Sequence, residues 1–253
     1  MTRASDMTGK FALVTGAASG LGRGTALALA RAGADIFSVD VNPAGLEETA
    51  AEIRQLGRKA VAHASDLSIA ENCAAAVDAA IAEFGHLDAL CNVAGLIMFT
   101  NTPEMKIADW NKTIAVNLSA PFHLCQAAIP HLLAREGAIV NVASTAAYIG
   151  EAYAAAYCAS KAGLLQLTKA MAMEYMKKPI RINAVAPGGM MTNIGNNLKM
   201  PEGVDYELIK RFSGMRGLVE VDDVAEMIAY LASDAGRGFH GSCITMDRGI
   251  TAG

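Results

Sequence analysis

Short apolar, β-branched runs alternate with amphipathic stretches rich in Ala and Leu from one end of the chain to the other. The apolar runs at 11–15, 35–40, 60–65, 89–92, 138–142, 181–186 and 243–246 have the length and composition of strands. Between them, apolar positions recur at helical spacing and predict helices over 21–32, 43–56, 69–84, 109–135, 157–176 and 221–232. Strands that alternate with helices in this way build βαβ units and a parallel sheet, and right-handed crossovers place helices on both of its faces. Both faces of each strand are then covered, which accounts for apolar runs in place of alternation. The expected fold is α/β, a doubly wound seven-stranded parallel sheet.

No linker rich in Pro, Gly or Ser divides the 253 residues, so residues 1–253 read as a single domain. The segment 190–218 differs in character: it carries Asn, Gly, Pro and several Met, with a convincing helix only at 205–212. An excursion of that length in a compact domain is usually functional, and it reads as a substrate lid. Residues 113–134 contain no Lys, Arg, Asp or Glu, as a membrane span would. They do contain Asn117, His123, Gln126, His131, Pro121 and Pro130, which suit a buried or interface helix better than lipid.

Charge and cysteine content narrow the classes further. A net charge of −4 and the lack of any basic cluster argue against nucleic acid and against an anionic membrane surface. Five cysteines without a CxxC pair fit a reducing compartment. The five histidines show no metal-binding spacing, so no metal is expected. The start, MTRASDMTGK, lacks the apolar core of a signal peptide, and a cytoplasmic location is expected.

Directly after the first strand comes Thr15-Gly16-Ala17-Ala18-Ser19-Gly20-Leu21-Gly22, leading into a helix. Glycines allow a sharp turn and a close approach of backbone N–H groups to a pyrophosphate, whose charge the helix N-terminus favours. This places a dinucleotide at a Rossmann-type first βα junction, although an ordinary strand–helix turn also uses glycine. Asp40 ends the second strand, where a carboxylate accepts hydrogen bonds from ribose hydroxyls and repels a 2′-phosphate; it favours NAD over NADP. Asp40 also precedes Val41-Asn42-Pro43 and could serve as a cap. Arg23 follows the last glycine and is expected to face outward.

Tyr157 and Lys161 are four residues apart at the start of a helix, so they share a face. A tyrosine titrates near 10 and is a poor base at neutral pH; a neighbouring cation lowers that value and fits it for proton transfer with an alcohol oxygen. Ser144 follows the fifth strand, at the end of the sheet where ligands bind. Alone, the tyrosine–lysine pair also occurs as a surface pair, and a loop serine commonly bonds its own backbone.

Taken in order, TGxxxGxG from Thr15, Asp66-Leu67, Asn92-Val93-Ala94-Gly95, Ser144 with Tyr157-xxx-Lys161, and Pro187-Gly188 resemble the short-chain dehydrogenase/reductase family over essentially the whole chain. The resemblance implies a Rossmann fold and hydride transfer between a nicotinamide dinucleotide and a secondary alcohol or ketone. Tyr157 would move the proton, Ser144 would hold the substrate oxygen, and Lys161 would depress the tyrosine and bond the nicotinamide ribose. Asn117 matches the family asparagine that holds a water on the proton relay. Gly16, Ser19, Gly20, Leu21 and Gly22 would cradle the pyrophosphate. Asp40 would hold the adenosine ribose, and Asp66 with Leu67 the adenine. Asn92, Ala94 and Gly95 would flank the adenosine ribose side, and Pro187, Gly188, Met190 and Thr192 would receive the nicotinamide end.

Two positions depart from the family pattern: Val93 replaces a second Asn, and Arg248 replaces the first Gly of the C-terminal DGG. Met98, Ala146, Tyr153 and Met191 are candidate substrate contacts, with Leu96, Ile97, Ile149, Met190, Ile194, Leu198 and Met200 around them. These mostly apolar residues suggest a hydrophobic or alicyclic secondary alcohol, up to a steroid-like one. Small residues along the helix from Tyr157, with the charge-free helix before it, suggest a homotetramer or homodimer. Two alternatives are an NADPH-dependent 3-oxoacyl-carrier reductase and a redox-sensing protein that binds dinucleotide without turnover. Asp40 speaks against the first, and the presence of both Tyr157 and Lys161 against the second.

Overall fold

The computed structural model describes residues 5–191, 199–210, 212 and 214–252. Seven strands form one sheet: β1 Phe11–Thr15, β2 Asp35–Asp40, β3 Ala60–Ala64, β4 Ala89–Asn92, β5 Ala138–Val142, β6 Arg181–Pro187 and β7 Cys243–Met246. Their spatial order is β3-β2-β1-β4-β5-β6-β7, and every pairing is parallel. The chain winds outward from β1 to β3, crosses back to β4 beside β1, and then winds the other way. That reversal leaves a crevice beyond the carboxyl ends of β1 and β4.

Eight helices surround the sheet among the described residues: α1 Gly20–Arg31, α2 Pro43–Gln55, α3 Ala70–Phe84, α4 Ile107–Ile114, α5 Ala120–Leu133, α6 Ala155–Glu174, α7 Tyr206–Lys210 and α8 Val221–Ala232. Neighbouring strand residues feed opposite cores, because successive side chains point to opposite faces. Val14, Ile36 and Val140 pack with Leu29 of α1, Leu46 and Ile53 of α2 and Ile228 of α8. Leu13, Phe37 and Ile139 pack on the other face with Val77 of α3, Leu124 and Leu132 of α5 and Met171 of α6. Each such side chain, removed from water, contributes about 1.5–3 kcal/mol.

The single helix expected at 109–135 is interrupted. It begins earlier, at Ile107, and a π-helical turn at Ala115–Ser119 separates α4 from α5. Pro121 supplies the reason. It has no N–H for the carbonyl of Asn117 four residues earlier, and its ring crowds that carbonyl. The chain widens by one residue instead, with Ala120 N–H donating to Ala115 O. Among the described residues no helix is long and apolar enough to cross a membrane.

Lesser differences concern element ends. β3 stops at Ala64, one residue short of expectation, β6 runs on to Pro187, and α6 starts two residues before Tyr157. The helix expected at 205–212 is shorter, Tyr206–Lys210. The chain leaves the sheet at Met190 and returns at Val219, and these two residues pair in an isolated parallel bridge. Thr192, Ile194, Leu198 and Arg211 lie outside the described residues.

At the amino end of the strands, Asp88 is 3% exposed yet well provided for. It accepts from Phe11 N–H at 2.9 Å and Arg135 Nε at 3.1 Å, with Lys10 Nζ at 3.7 Å. It ties the starts of β1 and β4 to the end of α5.

Candidate active site

The carboxyl ends of the central strands open into a cavity of about 460 Å³ that runs from Asp40 and Asp66 to Tyr157 and Met190. Its first wall is the glycine loop. Gly16 takes a φ of +70°, and a Cβ there would come within 2.9 Å of Ala94 Cα. A Cβ on Gly22 would collide with the Gly16 carbonyl oxygen. Both positions therefore exclude side chains, so that β1, the loop after β4 and the first turn of α1 can meet. Thr15 Oγ1 locks this contact by accepting from Val93 N–H and Ala94 N–H, each at 3.0 Å.

The α1 N-terminus fits a pyrophosphate on its own evidence of unfilled donors. Ser19 makes no side-chain cap, and no acidic residue occupies the first turn. Ser19, Gly20, Leu21 and Gly22 line the cavity, leaving first-turn N–H groups for an anion.

Asp40 stands further along the same wall. Its Oδ2 accepts from Ala18 N–H at 3.1 Å and its Oδ1 from Asn42 N–H at 3.0 Å, which fixes the carboxylate. Arg23 turns away to α2, where it pairs with Glu48 at 3.3 Å and with Glu52. The cation nearest the loop in sequence is thus committed to other carboxylates. Asp66 also lines the cavity; hydrogen bonds from Ser68 hold its carboxyl below the usual range, with a smaller pull from Lys112. Leu67 packs beside it, 7% exposed.

At the other end, Ser144, Tyr157 and Lys161 all line the cavity. Ser144 ends the β5 loop as the cap of a short 3-10 turn, its Oγ accepting from Ala146 N–H at 3.1 Å. Lys161 is 3% exposed; its Nζ donates to Val142 O at 2.7 Å and lies 5.8 Å from the centre of the Tyr157 ring. Burial pushes this ammonium down to about 8. The expected depression of Tyr157 is not found in the protein alone. Burial pushes its phenol up to about 12, a hydrogen bond with Ser144 pulls the other way, and the Glu151 carboxylate adds to the rise. Burial disfavours the charged phenolate, and the hydrogen bond with Ser144 offsets that only in part.

Asn117 is fully buried, in the π turn. Its Oδ1 accepts from Leu96 N–H at 2.9 Å, and its Nδ2 donates to Leu96 O at 2.8 Å and Ser160 Oγ at 3.0 Å. Ser160 in turn donates to Tyr157 O at 2.7 Å. The side chain thereby positions the β4 loop against α6 and does not itself reach the cavity wall.

Several expected contacts lie elsewhere. Asn92 does not flank the cavity: it is 2% exposed, and its amide donates to Asn141 Oδ1 at 2.8 Å and Cys125 Sγ at 3.4 Å beneath the floor. Ala94, Gly95, Pro187, Gly188 and Met190 do line it. Met98, Ala146, Tyr153 and Met191 do not. Ala146 is buried behind Ser144, Met191 is 72% exposed, and the Tyr153 hydroxyl accepts from Asp205 N–H at 2.9 Å. Spacing along the chain could not show that the loop after β5 turns Tyr153 toward 205. Leu96 and Ile97 do line the cavity, and Val41, Ser68, Lys112 and Val116 join them without having been anticipated. For Ser68 a signal existed, since Asp-x-Ser is a common side-chain-to-backbone turn. Arg248 sits at φ +51°, the left-handed conformation for which glycine is suited, and its Nη1 donates to Arg216 O at 3.1 Å.

A family model described as short chain dehydrogenase matches residues 10–203. The chain is 39% identical over 97% of its length to a D-threitol dehydrogenase of Mycolicibacterium smegmatis, covering 94% of that protein. It is 38% identical to a cyclohexanol dehydrogenase of an Acinetobacter species, over 96% of this chain and 95% of that one. The crystal structure of a carveol dehydrogenase from Mycobacterium avium, in complex with NAD, superimposes with a TM-score of 0.88 at 28% identity, covering 98% of this chain and all of that one. The chain belongs to the short-chain dehydrogenase family, an α/β fold of Rossmann type whose members bind a nicotinamide dinucleotide. Within that family it is an oxidoreductase of the alcohol dehydrogenase kind.

Proposed function

We propose that this protein is an NAD(H)-dependent dehydrogenase that interconverts a compact secondary alcohol, alicyclic or short-chain, with its ketone. The observation that carries this reading is Ser144, Tyr157 and Lys161 on the same cavity as the capless α1 N-terminus and Asp40. Asp40, fixed by two backbone donors, supports NAD, as does the engagement of Arg23 by Glu48 and Glu52. Bound at the α1 N-terminus, the dinucleotide supplies the hydride acceptor or donor. Tyr157 accepts the hydroxyl proton as the alcohol is oxidised and returns it in reduction, and Ser144 holds the reacting oxygen. At neutral pH the phenol of the free protein is protonated, ready to donate to a ketone. Lys161 is mostly protonated as well, beside it.

Leu96, Ile97 and Met190 make the wall near this end apolar, in keeping with a relative that acts on cyclohexanol. The lid expected at 190–218 falls partly on residues 192–198, 211 and 213, which lie outside the described residues, and the reading keeps a single domain over 1–253. Exposed Ile107, Trp110, Phe122, Met173 and Met176 on α4, α5 and around the end of α6 support a homodimer or homotetramer. The direct test follows NADH fluorescence across secondary alcohols with each cofactor. We expect turnover of cyclic or short-chain alcohols with at least a tenfold kcat/KM preference for NAD, roughly the effect of one ribose contact. A preference for NADP, or no turnover of any secondary alcohol, would overturn the proposal.

A further inference from the structure

Arg248 stands where the family pattern has glycine, and its backbone keeps the conformation that glycine would suit. With φ at +51° it is one of three non-glycine residues in the left-handed region among the described residues, beside Glu136 and Tyr153. A side chain is strained there, and strain that persists points to a contact that the fold retains. The contact is visible: Arg248 Nη1 donates to Arg216 O at 3.1 Å.

The turn that carries Arg248 is itself well fixed. Asp247 Oδ1 accepts from Gly249 N–H at 2.9 Å, and Oδ2 from Thr251 N–H at 2.7 Å and Thr251 Oγ1 at 2.6 Å. The turn follows β7 directly, and Met246 O at the end of that strand accepts from Gly188 N–H at 3.0 Å. Ile250 reaches both neighbours of the turn. A Cβ on Gly188 would come within 3.1 Å of its side chain, and one on Gly214 within 3.0 Å.

The limb that Arg248 holds leads to the cavity. Gly217 N–H donates to Gly214 O at 3.1 Å, and two residues on Val219 N–H donates to Gly189 O at 2.9 Å. Val219 also pairs with Met190 in the parallel bridge. Pro187, Gly188 and Met190 line the cavity with Tyr157. This piece of wall is therefore clasped between the turn after β7 and the limb 214–219, and the Arg248 guanidinium ties one to the other.

We propose that Arg248 is a positioning residue: by holding Arg216, it keeps Val219 on Gly189 and so holds Met190 in the wall that the alcohol meets. The role rests on the dehydrogenase reading above and accounts for an arginine at a backbone position suited to glycine. Arg248 does not line the cavity, so its loss loosens the wall without removing a reacting group.

The experiment compares wild type, Arg248→Gly and Arg248→Lys by hydrogen exchange over residues 214–220, by melting midpoint, and by oxidation of cyclohexanol at saturating NAD. Glycine suits this backbone, so the midpoint of Arg248→Gly should equal or exceed that of wild type. Exchange at Gly217 and Val219 should nevertheless quicken roughly tenfold, the effect of one hydrogen bond, while β1 and β4 exchange as before. KM for cyclohexanol should rise by roughly as much with kcat nearly unchanged, because the chemistry keeps all its groups. Arg248→Lys retains a charged donor and should recover part of both effects. Wild-type exchange or a wild-type KM in Arg248→Gly overturns the proposal. So does a lower midpoint with faster exchange throughout the sheet, the mark of a residue that only stabilises the fold. Wild-type protein that oxidises no secondary alcohol removes the dehydrogenase reading and this inference together, a result distinct from failure of Arg248 alone.

Discussion

Asp88 and Glu151 are two largely buried carboxylates beyond opposite ends of the same sheet, and their surroundings are opposite as well. Asp88, before β4, has a backbone donor, an arginine and a lysine around it. Glu151, beyond β5, has a single hydroxyl at 3.5 Å. The first is a finished structural joint between the starts of two strands and a helix. The second is left with that one contact, in the loop between the 3-10 turn Thr145–Ala147 and α6. In parallel α/β sheets the amino ends of strands serve stability and the carboxyl ends bind ligands. Here the same division can be read from how well one kind of side chain is satisfied.

The strongest way to sharpen the contrast is to remove a group from the carboxyl end that matters only to chemistry. Tyr157→Phe deletes one hydroxyl; kcat should fall by roughly a thousandfold or more while NADH affinity stays nearly unchanged. Near-normal turnover in stopped-flow or steady-state assays would take the proton transfer away from Tyr157. Next in size is the amino end. Asp88→Ala leaves Arg135, Lys10 and the Phe11 N–H without their acceptor, and should lower stability by about 3 kcal/mol in urea unfolding. Its kcat should be preserved, because the site is at the other end. A variant with full stability, or with lost turnover in the folded state, would break the comparison.

The smallest effect tests Glu151 through its proton. Its carboxyl titrates near 7 in the folded protein, against 4.5 in the ordinary state. As pH rises between these values the unfolded chain releases the proton first, so stability falls through that window and is unaffected below it. Glu151→Gln removes the penalty. It should exceed wild type by about 2 kcal/mol, or roughly 4–8 °C in melting midpoint, near pH 8, and by almost nothing near pH 4. A pH-independent difference would show that the carboxylate is well solvated and carries no such strain.

Much of this site could be anticipated from residues in order along the chain. Gly16 and Gly22 fall where two backbones must touch, Asp40 and Ser144 fall at strand ends, and Tyr157 with Lys161 fall one helical turn apart. These depend on local geometry, which spacing reports directly. Asn92 and Tyr153 were misjudged because adjacency to a motif does not say whether a side chain faces the cavity or the layer beneath it. The interruption at Asn117 was written in Pro121, four residues on, but it needed the backbone arithmetic of a helix to be recognised.

The sequence alone therefore determined the succession of strands and helices along the chain and marked the glycine loop and the proposed acid–base pair, because each follows from short-range periodicity, turn chemistry or i,i+4 spacing. Tertiary structure decided what depends on distant groups meeting. It removed the Tyr157 phenol from water and raised it, turned Arg23 onto α2, gave Asp88 its cations from two separate parts of the chain, and left Glu151 with none among the described residues. Burial and partnership are sums over neighbours that come together only when the sheet is wound, and no local pattern in the chain encodes them.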